Sequence, residues 1–293
     1  MKEFKDKVAV ITGAASGIGY GIAKRAIREG MKVVMADIEE EALASAEDKL
    51  KKLGENIIAV PTDVSKANNL ERLAQKTLDS FGKVHLLFNN AGVIIKGVLW
   101  EATLAEWEWI LNVNLWSVIH GIRTFIPIML KQNEECHIIN TASTAGLIST
   151  QYEGIYALTK FGIVSLSETL SNELTALKSK IKVSVLCPGL VKTHLIEPKS
   201  RSPKNIIHHN INFKNSVESL LRTHPEAETW MNLWMDWWEN GISPEIVGEV
   251  VFKAIKDQTF YILTDTSPGL KNMIEGRFKR ILNEFERNQK YLE

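Results

Sequence analysis

We predict an α/β fold for this chain: a doubly wound parallel sheet of about seven strands, in the order 3-2-1-4-5-6-7, with helices on both faces. Short runs rich in valine, isoleucine and leucine recur along the sequence, and each is followed by a longer segment whose apolar residues have helical spacing. The runs are nearly continuous in apolar residues, which is typical of strands covered by helices on both sides. Right-handed crossovers between successive parallel strands then build a doubly wound sheet.

Six of these runs are the main predicted strands, and a seventh is expected to close one edge. They are KVAVIT (7–12), KVVMAD (32–37), NIIAVP (56–61), VHLLFN (84–89), CHIINT (136–141), IKVSVL (181–186) and, at the edge, FYILT (260–264). Between the first two runs, Ile18, Ile22, Ala26 and Ile27 repeat at helical spacing, and Gly30 follows as the predicted C-cap.

We interpret residues 1–293 as a single dinucleotide-binding and catalytic domain with two additions. A helical substrate-binding insertion is predicted over 194–244, and an amphipathic C-terminal helical tail over 266–293. The insertion carries tryptophans three or four residues apart, which form one broad aromatic helix face: Trp230, Trp234, Trp237 and Trp238. Two interpretations stay open, because such a face can pack as core or cover a substrate as a lid.

The composition is that of a globular protein with a sizeable core. Of 293 residues, 45% are hydrophobic and 24% are charged. Lysine plus arginine and aspartate plus glutamate number 35 each, so the net charge is +0. Because no basic surplus exists to attract phosphate backbones, we expect no nucleic acid partner.

The cysteines and the N-terminal residues indicate the compartment. Cys136 and Cys187 lie at the edges of apolar runs, where free cysteines behave as small buried hydrophobes, and they form neither a disulfide framework nor a zinc spacing. The start, MKEFKDKVAVITG, lacks the apolar stretch of a signal peptide, and no run approaches the ~18 apolar residues of a membrane span. We therefore expect no membrane span and a cytoplasmic location.

A glycine-rich turn, TGAASGIGYG (12–21), follows the first predicted strand. Gly13, Gly17 and Gly19 have the spacing G-x-x-x-G-x-G instead of the strict G-x-G-x-x-G. Such a turn lets the backbone approach a pyrophosphate, which the N-terminal amides and dipole of the next helix then bind. We predict a phosphate-binding turn; the alternative is a glycine-rich turn without a ligand.

Two aspartates follow predicted strands. Asp37 ends the second strand, twenty residues beyond Gly17, where a carboxylate can accept hydrogen bonds from a ribose diol and repel a 2′-phosphate. Ile38 and Ala15 supply no cation for that phosphate, so we predict NAD in preference to NADP. Asp63 follows the third strand and is predicted to contact the adenine. For both aspartates the alternative is a helix N-cap.

With these features the chain resembles the short-chain dehydrogenase/reductase family over residues 5–193. The resemblance rests on six segments: TGAASGIG (12–19), NNAG (89–92), NVN (112–114), STAG (143–146) with Ser143, the Tyr156/Lys160 pair, and PGLVKT (188–193). It implies a Rossmann-like fold, NAD(P)-dependent chemistry on CH–OH groups, and a homodimer or homotetramer built on long helices near 102–131 and 155–178. The region after Thr193 is longer than a minimal member needs.

The resemblance implies four catalytic residues: Asn114, Ser143, Tyr156 and Lys160. Tyr156 and Lys160 are four residues apart on one helix face, so the ammonium is expected to lower the pKa of the phenol from about 10 by roughly 1–3 units. Tyr156 is then the proton shuttle, and Ser143 binds the substrate oxygen. For Asn114 the resemblance implies a water held between Lys160 and solvent, and the alternative is hydrogen bonding to a neighbouring backbone group.

The glycine turn and the family resemblance together predict a set of NAD-binding residues. They are Gly13, Ser16, Gly17, Ile18, Gly19, Asp37, Asp63, Val64, Asn90, Ala91, Gly92, Tyr156, Lys160, Pro188, Gly189, Val191 and Thr193, the last bonding the nicotinamide carboxamide. We expect no metal site, because the insertion's histidines lack a paired spacing: His194, His208, His209 and His224.

We therefore predict an NAD(H)-dependent oxidoreductase that interconverts a secondary alcohol and a ketone or aldehyde. The aromatic insertion favours a bulky apolar small-molecule substrate, such as a steroid, a terpenoid or a polyketide-like compound. Two alternatives keep the nucleotide site: an epimerase or dehydratase that recycles its nicotinamide, and a dinucleotide-sensing binding protein without activity.

Overall fold

The computed structural model describes residues 1–193, 195 and 220–291, and for 233, 234 and 236–239 it describes the backbone alone. Its core is one seven-stranded parallel sheet in the order β3-β2-β1-β4-β5-β6-β7, which confirms the predicted topology. The strands are β1 (Val8–Thr12), β2 (Lys32–Asp37), β3 (Ile57–Pro61), β4 (Leu86–Asn89), β5 (Cys136–Thr141), β6 (Ile181–Cys187) and β7 (Tyr261–Leu263).

Helices connect the strands and cover both faces of the sheet. They are α1 (Gly17–Arg28), α2 (Glu40–Lys51), α3 (Ala67–Phe81), α4 (Leu104–Ile110), α5 (Ser117–Gln132), α6 (Gly154–Ala176), α7 (Glu228–Glu239), α8 (Pro244–Asp257) and α9 (Pro268–Gln289). As predicted, α1 buries Ile22, Ala26 and Ile27, and Gly30 follows the helix with a φ of 75°.

Apolar side chains fill both sides of the sheet. On one side Ile11 and Met35 pack with Ile22 of α1 and Phe252 of α8. On the other side, Val10 of β1 and Leu87 of β4 pack with helix residues. These are Leu70 of α3 and Phe125 and Met129 of α5. The continuous apolar runs of the sequence are explained by this burial on both faces.

The register of the strands brings functional side chains to one edge. Thr12 pairs with Ala36, and Asn89 pairs with Asn140, so the carboxyl ends of β1, β2, β4 and β5 lie side by side. The chain turns in opposite directions after β1 and β4, which leaves a crevice where open α/β sheets bind ligands.

One long helical segment, Leu104–Gln132, combines α4, a π-helical turn (Leu111–Trp116) and α5. Thr103 begins it with a capping box to Glu106. On length and composition this segment could cross a membrane, which departs from our expectation that no run approaches such a length. In the fold Asn114, Phe125 and Met129 are buried within the domain, as in the core helix of an α/β protein.

The described part of the insertion, from residue 220, packs over the carboxyl edge of the sheet. A small apolar cluster buries Val98, Leu220, Ala227 and Met231, with Tyr152, Leu190, Leu221 and Trp230 packed around it. The side chains of Trp234, Trp237 and Trp238 lie outside the described residues.

The tail forms a single helix, α9, whose first turn packs against the domain. Ser267 is its N-cap, with the side chain accepting a hydrogen bond from the Leu270 amide at 3.3 Å. Leu270 is buried, whereas later apolar residues such as Phe278 and Phe285 are exposed.

Candidate active site

The glycine turn joins the end of β1 to the start of α1 and has the shape that a phosphate needs. Gly17 has a φ of 54°, a left-handed conformation that residues with a side chain adopt at a cost. At Gly19 a Cβ atom would lie 2.1 Å from the Gly13 carbonyl oxygen, so a side chain does not fit. Ser16, at the N-cap position of α1, and Gly17 line the crevice, so the N-terminus of the helix faces it.

Asp37 lies beside this turn with its carboxylate fixed by backbone amides. Oδ2 accepts a hydrogen bond from the Ala15 amide at 3.0 Å, and Oδ1 accepts one from the Glu39 amide at 3.2 Å. The N-cap of α2 is Glu39, so the alternative role of Asp37 as a helix cap is wrong. Asp37 instead lines the crevice beside the glycine turn.

Asp63 forms a turn of its own and does not cap the next helix, whose N-cap is Lys66. Its Oδ1 accepts hydrogen bonds from the Ser65 amide at 2.9 Å and the Ser65 hydroxyl at 2.7 Å. The N-cap alternative is therefore wrong here as well. The turn leaves Asp63 and Val64 on the crevice wall.

Thr12, which we did not predict as a site residue, holds the crevice floor in place. Its Oγ1 accepts hydrogen bonds from the amides of Asn90 and Ala91, at 2.9 and 3.1 Å, and donates to the Phe88 carbonyl at 3.2 Å. The Asn90 side chain returns a bond to the Thr12 carbonyl at 3.0 Å. A threonine directly before the glycine turn was the available signal.

Tyr156 and Lys160 lie one turn apart on α6 and are both buried. The Lys160 ammonium is 5.4 Å from the centre of the Tyr156 ring and donates a hydrogen bond to the Thr141 carbonyl at 3.0 Å. Thr141 ends β5, so the strand end fixes the lysine beside the tyrosine. The predicted proximity of the two side chains is present.

The ionisation of this pair differs from our expectation. Burial raises the pKa of Tyr156 to about 12, although the hydrogen bond with Ser143 acts to lower it. Burial also lowers the pKa of Lys160 to about 8. The pKa of the phenol is therefore raised and not lowered as predicted, because desolvation is the largest effect.

Ser143 lies after β5 and faces Tyr156. Its hydroxyl accepts a hydrogen bond from the Ala145 amide at 3.2 Å and is hydrogen-bonded to the tyrosine. His137, the histidine closest to it in sequence, is buried and instead has Ser184 as its partner, at 2.8 Å. His137 therefore does not supply Ser143 with the base that a serine nucleophile needs.

Asn114 lies in the π-helical turn, behind the crevice wall. Its Oδ1 accepts a hydrogen bond from the Val93 amide at 2.8 Å, and its Nδ2 donates to the Val93 carbonyl at 2.9 Å and to Thr159 Oγ1 at 3.1 Å. These bonds fix the backbone that follows β4, which is the structural role we gave as the alternative. A π-helical turn at this position is a common feature of functional sites.

The segment 188–193 closes the crevice opposite the glycine turn. Thr193 lies against Gly17, where a Cβ atom on the glycine would be 3.1 Å from the threonine methyl carbon. Gly189 donates its amide to Thr264 Oγ1 at 3.2 Å, and Val191 is bridged to Ile242. The two sides of the crevice thus approach each other over the phosphate-binding turn.

These groups line one cavity of about 1320 Å³. Its lining includes Ser143 and every predicted cofactor residue except Gly19, and it excludes Asn114. The lining also includes a set of apolar side chains: Ile94, Trp109, Ile148, Leu190, Trp230, Leu270 and Met273. Trp109, Leu270 and Met273 were missed, since helical spacing alone does not show which helix face meets the cavity.

Other residues lie beside the site. Tyr152 packs edge-on against Trp230 at 5.6 Å between ring centres and is absent from the cavity lining. His224 lies at the surface with Nε2 3.1 Å from Glu101, and His194, His208 and His209 lie outside the described residues.

Comparison with known proteins identifies this arrangement. Residues 7–204 match the protein family described as short chain dehydrogenase. The chain belongs to the short-chain dehydrogenase/reductase family. It is therefore an oxidoreductase that acts on alcohol or carbonyl substrates, with the NAD(P) cofactor typical of this family.

Several relatives match nearly the whole chain. A "CLA biosynthesis dehydrogenase/reductase" of Lactiplantibacillus plantarum is 35% identical, covering 97% of this chain and 96% of the relative. A "C alpha-dehydrogenase" of Sphingobium sp. is 31% identical, covering 97% and 88%. A short chain dehydrogenase/reductase from Burkholderia phymatum, solved in complex with NAD, is 40% identical with a TM-score of 0.86, covering 97% of both chains.

The residues of this chain fit a bound dinucleotide. The left-handed Gly17, the exposed N-terminus of α1 and the fixed carboxylate of Asp37 form the nucleotide end. Tyr156, Ser143 and Lys160 lie farther along the same cavity. A cofactor bound between these two ends would lie along the carboxyl edge of the sheet.

Proposed function

We propose that this protein interconverts a bulky, mainly apolar secondary alcohol and the corresponding ketone with NAD(H). The observation that carries the proposal is the position of Tyr156, Ser143 and Lys160 on the wall of the cavity that also contains the glycine turn and Asp37. A reacting carbon near the tyrosine hydroxyl therefore shares one cavity with a bound dinucleotide. Proximity of this kind is the main requirement of hydride transfer.

NAD is favoured over NADP by the carboxylate at the ribose end. The Asp37 carboxylate accepts hydrogen bonds from two backbone amides and lines the cavity, so its charge would repel a 2′-phosphate. The NAD complex of the 40% identical Burkholderia phymatum protein supports the same preference.

In the direction of reduction, Tyr156 acts as the proton donor. With a pKa of about 12, the Tyr156 hydroxyl is protonated at neutral pH and can give its proton to the oxygen of a ketone. Ser143, hydrogen-bonded to the tyrosine, is placed to donate to the same oxygen and stabilise its developing charge. The nicotinamide, when bound, supplies the hydride to the carbonyl carbon.

Oxidation runs the same proton transfer in reverse. The alcohol hydroxyl then gives its proton to Tyr156 as its phenolate, which a positive charge on Lys160 favours. A Cβ atom on Gly92 would lie 3.4 Å from Asn114 Oδ1 and 3.6 Å from Lys160 Nζ, so the two side chains lie near the same point. We propose that Asn114 and Lys160 begin a water-mediated path for the alcohol proton. The bonds of Asn114 to Val93 hold this region in place.

The substrate class follows from the apolar end of the cavity. Aromatic and aliphatic side chains from four regions enclose it, among them Trp109, Ile148, Trp230 and Met273. Such a wall binds ring systems or long aliphatic groups by burial of apolar surface, and Tyr156 and Ser143 provide the polar groups that orient the carbinol.

A substrate panel with a tyrosine variant tests the proposal. Hydroxysteroids, terpenols and small secondary alcohols are incubated with NAD and with NADP, and NADH or NADPH formation is followed by absorbance. We expect a bulky alcohol with NAD to give the highest kcat/KM, and Tyr156→Phe to lower kcat by about 100-fold or more while NADH still binds.

Stoichiometry and binding separate this proposal from its alternatives. Net NADH formation, one per alcohol consumed, excludes an epimerase or dehydratase that recycles its nicotinamide. Turnover that survives intact in Tyr156→Phe would remove the tyrosine from its role. NADH binding without turnover of any alcohol or ketone would favour a dinucleotide-sensing protein.

A further inference from the structure

A buried ion pair, whose Glu153 lines the cavity, has no part in the chemistry described so far. Lys96 follows β4, Glu153 directly precedes α6, and both side chains are almost fully buried. The Lys96 ammonium contacts Glu153 Oε1, and Thr150 donates a hydrogen bond to Glu153 Oε2 at 2.6 Å. Burial of the ammonium lowers the pKa of Lys96 well below its usual value.

The same ammonium contacts the helix that covers the substrate end of the cavity. It lies over the ring of Trp230, 4.8 Å from the ring centre, and Trp230 belongs to α7 and lines the cavity. A cation held against a tryptophan face away from water is stabilised by the electrons of the ring. Lys96 thus contacts both the cover of the cavity and Glu153.

Glu153 connects this contact to the catalytic helix. Its carbonyl accepts the Ala157 amide at 2.7 Å in the first turn of α6, the turn that contains Tyr156. Its carboxylate does not cap that helix and instead points to Lys96. The backbones of the two segments are also joined, because Gly97 bridges to Glu153 and donates its amide to the Tyr152 carbonyl at 2.9 Å.

Stability alone does not account for such a pair. Replacing a buried ion pair by well-packed apolar residues is often neutral or stabilising, whereas removing one partner is strongly destabilising. A buried pair can instead select one arrangement of the segments it joins. Here those segments are the loop after β4, the first turn of α6 and, through Trp230, the helix α7.

We infer that Lys96 and Glu153 are positioning residues that couple the packing of Trp230 over the substrate to the placement of Tyr156. When Trp230 covers the ammonium, Lys96 is held against Glu153, and the first turn of α6 has the position described above. When α7 moves away, the Lys96 ammonium loses its contact with the Trp230 ring. The interaction of Lys96 with Glu153, which positions the first turn of α6, then weakens. This inference rests on the proposed function. It adds the contacts through which the packing of Trp230 over the substrate affects the position of the proton donor, Tyr156.

A double-mutant cycle between Glu153→Gln and Trp230→Leu tests this coupling. It is measured as kcat/KM for the best alcohol from the panel, first in the wild-type background and then with Lys96→Met. With Lys96 present, we expect the double variant to differ from the product of the single effects by about five-fold or more. With Met at position 96, the effects should multiply to within about two-fold.

The effect should lie in kcat more than in NADH binding, which is measured separately by fluorescence titration. Trp100→Leu, in an exposed loop, and Glu173→Gln, on an exposed face of α6, are the matched controls and should leave the cycle uncoupled. Coupling that persists with Lys96→Met would overturn the inference, because a direct substrate contact of Glu153 and Trp230 would then explain it. Multiplicative effects in both backgrounds would overturn it as well.

Hydrogen exchange keeps the inference testable if no alcohol is turned over. We expect Trp230→Leu to speed amide exchange in the first turn of α6, residues 154–157, and to have no further effect once Lys96 is Met. Equal effects in both backgrounds, or none in either, would refute the coupling. Failure of the proposed function would appear only in the turnover assay, so the two failures are distinguishable.

Discussion

At the scale of single residues, the nucleotide end of the site depends on one carboxylate. Asp37 is buried and accepts hydrogen bonds from Ala15 and Glu39, so its position is fixed before any ligand binds. The same carboxylate can accept the ribose hydroxyls and disfavours a 2′-phosphate, so a neutral residue here should change cofactor choice.

Asp37→Asn should shift preference from NAD toward NADP. Loss of charge-assisted hydrogen bonds to the ribose is expected to weaken NADH binding by about 10-fold or more, while removal of the repulsion strengthens NADPH binding. The measurement is the ratio of kcat/KM with NAD to that with NADP. Asp48→Asn, an exposed change on α2, is the control, and an unchanged ratio in Asp37→Asn would mean that another group reads the ribose.

The Tyr156/Lys160 pair shows that proximity along the sequence does not determine ionisation. Lys160 lies beside Tyr156, as the spacing of four residues predicts, yet burial raises the tyrosine pKa to about 12 and lowers that of the lysine to about 8. The electrostatic benefit of a neighbouring cation competes with the desolvation of both groups. How far each is desolvated depends on the residues that close the cavity from distant parts of the chain.

At the scale of elements, β5 carries a buried histidine that makes the sheet sensitive to acid. Burial lowers the pKa of His137 to about 3 from its ordinary 6.5, so the imidazole is neutral in the folded protein. The unfolded chain binds a proton below pH 6.5 and the folded protein does not. The contribution of His137 to stability is therefore complete above pH 6.5 and is lost as the pH falls toward 3.

His137→Gln should remove this part of the pH dependence. In the wild-type protein, His137 lowers the free energy of unfolding by about 1.4 kcal/mol per pH unit below 6.5, or roughly 2 kcal/mol at pH 5. Urea unfolding at pH 7 and at pH 5 measures the difference for each protein. The surface variant His224→Gln should keep the loss of stability on acidification, and an equal loss in His137→Gln would contradict the assignment.

Another element-scale feature is the long segment of α4, the π-helical turn and α5. Its apolar character has two causes: burial of Phe125 and Met129 against the sheet, and exposure of Trp116 and Leu130 on the opposite side. On α6, Leu158 is also exposed. Exposed apolar residues on long helices are typical of protein interfaces.

We propose that these helices form the interface of a homodimer or homotetramer. Light scattering coupled to size-exclusion chromatography should give a mass at least twice the 33.0 kDa of one chain. Trp116→Glu combined with Leu158→Glu should lower that mass, since a buried unpaired carboxylate is costly. A monomer in the wild-type protein would refute the proposal.

At the scale of the whole molecule, the substrate end of the cavity is assembled from distant parts of the chain. Trp109 comes from α4, Ile148 follows β5, Trp230 comes from α7, and Met273 comes from the first turns of α9. The C-terminal helix therefore contributes to the cavity wall, and changes in its first turns should alter which substrates fit.

Met273→Trp should exclude bulky substrates and spare small ones. The larger ring fills part of the cavity, so kcat/KM for the bulky alcohol is expected to fall by about 10-fold or more, while a small secondary alcohol and NADH are affected by less than about three-fold. Phe278→Trp, on an exposed turn of α9 outside the cavity lining, is the control. Equal changes for both alcohols would show that Met273 does not limit substrate size.

Local patterns predicted the sheet and the nucleotide end of the site. Continuous apolar runs such as KVVMAD fix strands buried on both faces, and the chain order of strands and helices then leaves few topologies. The glycine turn, Asp37 and the Tyr156/Lys160 pair are short-range features, because each depends on a strand end or one helical turn. They could therefore be placed from the sequence with little knowledge of the rest.

Contacts between distant segments could be decided only by the tertiary structure. The sequence did not show that Thr12 holds Asn90, that Asn114 bonds to Val93, or that Lys96 meets both Glu153 and Trp230. The sequence by itself determined the family's sheet and the positions of its motifs, because apolar periodicity and strand ends are local properties. The ionisation of the catalytic pair and the apolar wall depend on burial by residues far apart in the chain, which exists only in the folded molecule.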